Sequence, residues 1–526
     1  MIDRYDWIVI GSGFGGSVSA LRLVEKGYRV LVIEKGKRFA PFDFPKSNWD
    51  LRRWLWMPKI GLRGIFQMSF FEHLTIFHGV GVGGGSLVYA GTLADPEEGF
   101  FKSPSWSSLG DWRQELGRHY AAARRMLGAS PNPRETPADR VLQQIADEMG
   151  RRGDCKPTDV GVYFGTPGRT SHDPFFGGEG PARTGCTFCG ACMTGCRIGA
   201  KNTLDRNYLH LAESRGVDVR AATEVVAIRP RPDGGFVVQA KDTLGAARTI
   251  HEISADKVIC AGGVMGTIPL LLRMREMPDA LPKLSPRLGD FVRTNSEALI
   301  AVLAPGRDDL SEGVAITSIL RTDDHSHIEP VRYGSGSGFF RLLAMPHAPG
   351  STILSRIAGA VRSMARDPRA WLRALMVKDF ARSTQILLYM RALEGDLSLR
   401  LGRSAFTGFR RGLVTRLGDP SRAPRASMPE ATALGRRFAE KIGGLPMSLL
   451  TETLLGTPST AHILGGACMG ASAEDGVIDV QHRVFGYDGL YVVDGSAVSA
   501  NPGVNPSLTI AAMAERAMSR VPVKTP

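Results

Sequence analysis

Four cysteines fall within eleven residues, Cys186-Thr-Phe-Cys189-Gly-Ala-Cys192-Met-Thr-Gly-Cys196, spaced C-x2-C-x2-C-x3-C. Small electron carriers wrap an iron–sulfur cluster with such a run. Four thiolates suit a [4Fe–4S] cluster, three a [3Fe–4S] cluster, and four also suit tetrahedral zinc. Zinc sites more often join two separated C-x2-C knuckles, so the compact run favours iron, although Arg197 stands where cluster loops carry proline. Thiols or disulfides that only brace a loop are the alternative. The chemistry a cluster would add is one-electron transfer, which suits acceptors such as quinones or haem proteins.

A second chemistry is written near the start, in "DWIVIGSGFGGSVSALRLVEKGYRVLVIEKG". Gly11, Gly13 and Gly16 have the G-x-G-x-x-G spacing, with Phe14 and Gly15 between them, and Glu34 follows 23 residues after Gly11. The glycines permit a tight turn and close approach of backbone to a pyrophosphate at a helix N-terminus, and the acid suits a ribose hydroxyl.

These residues need elements to hold them. Apolar runs at Trp7–Ile10 and Val30–Ile33 flank a helix-period segment, which predicts a βαβ unit. Further strand–turn–helix patterns occur at "KVICAGGVMGTIPLLLRM" and "GLYVVDGSAVSANPGVNPSLTIAAMAERAMSRV", each with small residues between strand and helix. A strand pair is expected at "DVRAATEVVAIRP" and "GGFVVQAKD", turning at Pro232–Gly235. The fold class is therefore α/β. A Rossmann-like dinucleotide domain is assembled from residues 1–40, 200–295 and 475–526, and an α+β substrate domain from 41–199 and 296–474. Asn505 and Pro506 are expected as N-cap and first turn of the last helix, whose positive end would favour anionic charge.

The 526 residues are 43% hydrophobic and 22% charged, a globular composition without an apolar run long enough to span a bilayer. A strand starting at Tyr5 or Asp6 leaves no room for a signal peptide, and four of seven cysteines in one loop do not make a disulfide framework. A cytoplasmic location is expected, with contact to the inner face of the membrane as an option. Of the net charge of +13, ten units lie between Ser351 and Arg425, where fifteen Lys and Arg face five Asp and Glu. In this basic segment, 351–425, Ile353, Ile357, Val361 and Met364 share one helical stripe, and Trp371, Leu372, Leu375 and Met376 follow an Asp367-Pro368 break. Interfacial helices have this composition, and so do helices that turn such stripes into a core. No aromatic residues interleave the charges as stacking platforms, so no nucleic-acid partner is expected.

The chain resembles the glucose-methanol-choline (GMC) oxidoreductases, FAD enzymes that oxidise alcohols, and within them the cholesterol-oxidase-like branch. The matching stretches are "GSGFGGSVSALRL", "HGVGVGGGSLVYAG", "GAKNTLDRNYL", "AHILGGACMG" and "YVVDGSAVSANPGVNPSLTIAAMAER". The resemblance implies FAD held by the Gly11–Gly16 turn and Glu34, by Gly81, Gly83, Gly84, Gly85 and Ser86, by Val225 through its backbone, and by Asp494, Gly495, Asn505 and Pro506. It implies His462 as the base that removes a hydroxyl proton and Asn505 as the residue that holds the hydroxyl. The substrate would be an apolar alcohol, and with a cluster the enzyme would be a dehydrogenase serving a one-electron acceptor protein or quinone. Without one it would be an oxidase with a structural cysteine loop. A non-redox flavin lyase and a pure electron carrier are further alternatives, disfavoured by the cysteines and by the His462/Asn505 pair respectively. Sterol oxidases of this branch use a glutamate for a second, isomerising proton transfer. Glu329 in "HIEPVRYGSGSGFF" is poorly placed for it, which leaves isomerisation in doubt, and Glu297 in "RTNSEALI" is another candidate acid, the alternative being that Asn295, Ser296 and Glu297 only terminate and cap structure.

Overall fold

Arg4–Ile10 forms a strand whose residues from Trp7 onward are buried, as the apolar run requires. It pairs in parallel with Val30–Ile33 on one side and Ile250–Cys260 on the other. In the computed structural model, which describes residues 4–244, 249–395, 397–419 and 423–525, these strands belong to a seven-stranded sheet. Asp218–Arg220 extends it beyond Val30–Ile33, and Leu490–Val492 adds to the C-terminal half of Ile250–Cys260. Phe236–Asp242 and Thr223–Pro230 complete it as an antiparallel meander. Ile10, Ile33, Cys260 and Val492 end their strands at one edge, where open parallel sheets bind ligands.

The expected single strand over Asp218–Pro230 is two strands. Ala222 takes a left-handed φ of 54° and donates its N–H to Gly36 O, so the chain turns after Arg220 and pairs again from Thr223. A bulge then falls between Val225 and Ala227.

A second seven-stranded sheet is antiparallel throughout and comes from the rest of the chain: Ala344–Pro346, Leu445–Leu449, Ala298–Leu303, Thr384–Arg391, Ser326–Val331, Ser318–Asp323 and Cys155–Pro157, in spatial order. Side chains alternate across it. Ile300, Ile328, Leu387 and Tyr389 pack against the helices Pro137–Glu148 and Pro429–Ile442. Leu299, Val331, Ile386 and Leu388 face the opposite way, into a cavity. Among the described residues no helix is long and apolar enough to cross a membrane. Asp396 and Arg422 of the basic segment lie outside the described residues.

Candidate active site

The glycine turn is shaped by close approach. Gly11 has φ of 102°, and a Cβ there would meet Ala261 O at 2.4 Å. A Cβ on Gly15 would meet Val493 O at 1.7 Å, so the helix Phe14–Val24 can pack on the sheet only without one. Gly13 faces open space instead. It opens onto a cavity of about 300 Å³ that is also lined by Gly11, Glu34, Val225, Asp494 and Gly495. Glu34 is buried there, accepting from Ser12 Oγ at 2.8 Å and Gly36 N at 2.8 Å. The bulge beside Val225 interrupts its ladder, so backbone groups at this point can face a ligand. Asp494 accepts from Gly263 N at 2.8 Å and Thr267 Oγ1 at 2.6 Å, which ties the last strand–helix turn to the preceding one.

Of the second glycine run, Gly84 and Gly85 line this cavity, whereas Gly81, Gly83 and Ser86 do not, nor does Gly16 of the first turn. They build the turn: Gly83 N donates to Ser12 Oγ at 3.1 Å, and Ser86 Oγ donates to Gly83 O at 2.7 Å. His78, at the start of the run, has its imidazole pushed down to about 3 by burial and by Lys35, and stays neutral at physiological pH.

A second cavity, about 320 Å³ and largely apolar, lies between the two sheets' elements. It shares a wall with the first at Phe14, His78, Gly85, Ala461, Ile463 and Ile510. Its polar end holds His462, Asn505 and Glu297. His462 Nδ1 stands 3.1 Å from Glu297 Oε1, a close contact that is not aligned as a hydrogen bond. Thr460 Oγ1 donates to Glu297 at 2.5 Å and receives His462 N at 2.9 Å, which fixes the pair. Burial lowers the affinity of His462 for a proton, but the Glu297 charge, with Glu329 adding, more than reverses this and raises its pKa above 6.5. Burial raises Glu297, and His462 with Thr460 more than offsets that, so Glu297 is held below the usual range. Glu452, buried and close enough to feel Glu297, is pushed up to about 8 chiefly by burial, so Glu297 is the charged member of the two at neutral pH.

The last helix runs Ser507–Ser519 with Pro506 as its N-cap, one residue later than expected, because Pro506 C=O accepts the first turn's bond from Ile510 N. Asn505 is thereby freed from capping. Its Nδ2 donates to Glu329 Oε2 at 3.4 Å, and its Oδ1 is buried without a partner. Glu329 in turn lies 3.5 Å from His327 Nε2. His327 and Glu329 alternate with Ile328 on Ser326–Val331, so both face the cavity side. The sheet thus carries Glu329 next to Asn505.

Two family models described as GMC oxidoreductase match residues 182–274 and 428–514, and one described as an NAD(P)-binding Rossmann-like domain matches 9–41. A cholesterol oxidase of Mycobacterium tuberculosis is 47% identical over all of this chain and 92% of its own length. The chain belongs to the GMC oxidoreductase family. A cholesterol oxidase of Acinetobacter baumannii is 43% identical over 99% of this chain and 95% of its own, and a 2-methyl-1,2-propanediol dehydrogenase of Mycolicibacterium austroafricanum is 25% identical over 98% and 94%. The crystal structure of a pyridoxine 4-oxidase from Mesorbium loti has the same fold, with TM-score 0.62 and 15% identity over 98% of both chains.

As a GMC oxidoreductase the protein is an FAD-dependent enzyme acting on alcohols. The nucleotide cavity fits that cofactor: it is glycine-walled at a helix N-terminus, carries a buried acid on the second strand, and abuts the polar end of the alcohol cavity.

The four cysteines also come together, lining a small cavity of about 20 Å³ with Lys201. Phe188 N donates to Cys186 Sγ at 3.4 Å, and Lys201 N donates to Cys196 Sγ at 3.4 Å. Among the described residues no three His, Cys, Asp or Glu converge to hold a metal ion. The zinc alternative is thus corrected, since four ligands to one ion must point at a single centre. The buried Lys201 ammonium donates to Cys192 O at 2.6 Å, Leu87 O at 3.0 Å and Tyr89 O at 3.2 Å. Met193, beside Cys192, lines the apolar cavity. Sequence reasoning missed Lys201, His78 and His327; "GAKN" and "FHGV" sit inside family stretches, but nothing marks which of their polar residues is buried.

Proposed function

We propose that the enzyme oxidises an apolar, sterol-like secondary alcohol to a ketone and then shifts a β,γ double bond of the product into conjugation. What carries the reading is one observation: His462 and Asn505 stand at the polar end of an apolar cavity, against the wall it shares with the nucleotide cavity. The names of the two full-length relatives at 47% and 43% identity support the substrate class. FAD, when bound, supplies the acceptor for the hydride leaving the carbinol carbon. Asn505 orients the hydroxyl with an amide whose Oδ1 has no other partner. His462 takes the hydroxyl proton at Nε2, because Nδ1 faces Glu297, and the Glu297 charge stabilises the imidazolium so formed. Glu329 then removes a proton α to the new carbonyl and returns it at the γ carbon, a rearrangement with no net redox change. We further propose that the chain works as two domains, residues 1–40, 200–295 and 475–526 binding FAD and 41–199 with 296–474 binding substrate, and that it acts in the cytoplasm.

A second reading concerns the electron acceptor. Each thiolate of a cluster binds its own iron, so the sulfurs need not converge on one point. The N–H···S bonds to Cys186 and Cys196 and the buried Lys201 cation are features that suit anionic, cluster-bound thiolates at Cys186, Cys189, Cys192 and Cys196. A cluster there would supply one-electron transfer and make the enzyme a dehydrogenase for a quinone or an acceptor protein. Without it, the enzyme is an oxidase.

The test is turnover of a 3-hydroxy sterol bearing a β,γ double bond. The native enzyme should bleach its flavin anaerobically and yield the conjugated ketone. Glu329→Gln should still bleach but release the unconjugated ketone, read by loss of enone absorbance. Conjugated product at the native rate would remove Glu329 from the reaction. On the same sample, iron and sulfide with little peroxide mark a dehydrogenase, and stoichiometric peroxide without iron marks an oxidase.

A further inference from the structure

The helices Ile353–Arg366 and Pro368–Met376 are built inside out. Thr352 and Asp367 cap them, and Pro368 starts the second. A surface helix ordinarily buries its large apolar residues. Here the residues turned inward are small: Ala360 is 2% exposed, Ala370 7% and Ala374 4%. The large ones are turned outward, Leu354 at 76% and Leu375 at 72%. Ile353, Ile357, Val361, Leu372 and Met376 are exposed with them. At 100° per residue Leu372, Leu375 and Met376 form a stripe opposite Ala370 and Ala374 in the second helix, whereas in the first the outward stripe adjoins Ala360, about 70° round the helix from it. The core-facing alternative therefore fails for these aliphatic side chains and holds for Trp371 alone, which packs inward.

The pair is held in this orientation. Arg356 donates to Thr453 O at 2.8 Å and Gly350 O at 2.9 Å, while Arg341 donates to Val377 O at 2.7 Å and Ala374 O at 3.2 Å. Beneath it, Ala374 and Trp371 pack in one cluster with Phe380 and Ala344, which also line the apolar cavity. The exposed face lies one layer of side chains above the alcohol-binding cavity.

We infer that this face docks on an anionic lipid surface, with the apolar stripes entering the interface and the arginines at headgroup level. Charge selects this occupant. Arg362, Arg366, Arg369 and Arg373 are exposed, and among the described residues none of the four has a hydrogen bond or ion pair. Arg369 and Arg373 lie between the second helix's outward stripe and its buried alanines, where a helix lying in a bilayer surface meets phosphates, and Arg362 and Arg366 lie on the first helix away from its stripe. A second copy of the chain would bring the same four arginines against their equivalents. The connection with substrate delivery rests on the sterol reading above, but the docking does not.

The experiment is flotation of the full-length enzyme with phosphatidylcholine vesicles, with and without phosphatidylglycerol. At low salt the protein should float with the anionic vesicles, detach partly in high salt, and bind neutral vesicles less well. Each of Arg369→Gln and Arg373→Gln should weaken partitioning about five-fold. Leu354→Ser with Leu375→Ser should weaken it further, while turnover of a detergent-dispersed alcohol stays unchanged. Recovery in the unbound fraction with both vesicle types, or undiminished binding by the leucine variant, would overturn the proposal. So would a concentration-dependent dimer, absent in the leucine variant, together with no vesicle binding. Flotation without sterol oxidation would leave docking standing and remove only the substrate reading.

Discussion

Two regions of this molecule break the ordinary rule of burial in opposite directions. At the polar end of the cavity His462, Glu297, Glu329, His327 and Asn505 are withdrawn from water, whereas on the helix pair 353–376 large aliphatic side chains are left in it. Each violation costs stability, and each is informative for that reason. The buried polar groups hold one another: Glu297 with His462 and Thr460, Glu329 with Asn505 and His327. Their loose ends, such as Asn505 Oδ1, point to a polar substrate atom. The exposed leucines have no such mutual support, and the arginines beside them specify what should cover them. A catalytic site supplies its own partners and leaves one position open, while a docking surface leaves a whole face open.

The comparison breaks most readily at His462. His462→Ala removes the proposed proton acceptor while leaving the glycine turn, Glu34 and Val225 around the nucleotide cavity. The variant should retain FAD and reduce it roughly 10²- to 10⁴-fold more slowly with the alcohol, measured by anaerobic stopped flow. Reduction at the native rate would place the base elsewhere.

Glu297 gives a smaller and more specific effect. A base must be neutral to accept a proton, so reduction should rise with pH through the pKa of His462, which Glu297 raises above 6.5. Glu297→Gln removes that charge, the pKa falls, and the ascending limb of the pH–rate profile should move to lower pH. The maximum should fall as well, because the ring loses the carboxylate that orients it. An unmoved limb with a lower maximum would make Glu297 a packing residue only.

The two regions were unequally legible in the sequence. The nucleotide cavity could be read because its needs are local: Gly11, Gly13, Gly15 and Glu34 lie in one βαβ unit, where Gly11 and Gly15 each answer a close contact and Gly13 opens onto the cavity. His462 and Asn505 were readable from family stretches. Glu329 was not, because Ser326–Val331 is buried on both faces, so period-two alternation does not reveal which side His327 and Glu329 take. Glu329 is placed by its contact with Asn505, 176 positions away. The helix pair was legible as amphipathic but not as inverted, since a hydrophobic stripe looks the same whether it meets a core or a lipid. What decides is the packing of Ala360, Ala370 and Ala374, small residues that carry little sequence signal.

The inversion itself yields the smallest effect and the sharpest contrast. Ala374 is packed among Leu303, Phe380 and Met447, so Ala374→Leu must push methyl groups into filled space, at a cost of about 1–3 kcal/mol. Leu375, the next residue, is 72% exposed, so Leu375→Ser should change stability by no more than about 0.5 kcal/mol. Thermal unfolding in buffer should therefore show a lowered midpoint for the alanine variant and a native one for the leucine variant. With anionic vesicles present the order of interest reverses: Leu375→Ser should lose binding, while Ala374→Leu, if folded at the assay temperature, should keep it. A helix packed the ordinary way round would give the opposite result in buffer, with Leu375→Ser the damaging change, because the leucine would then be core and the alanine surface.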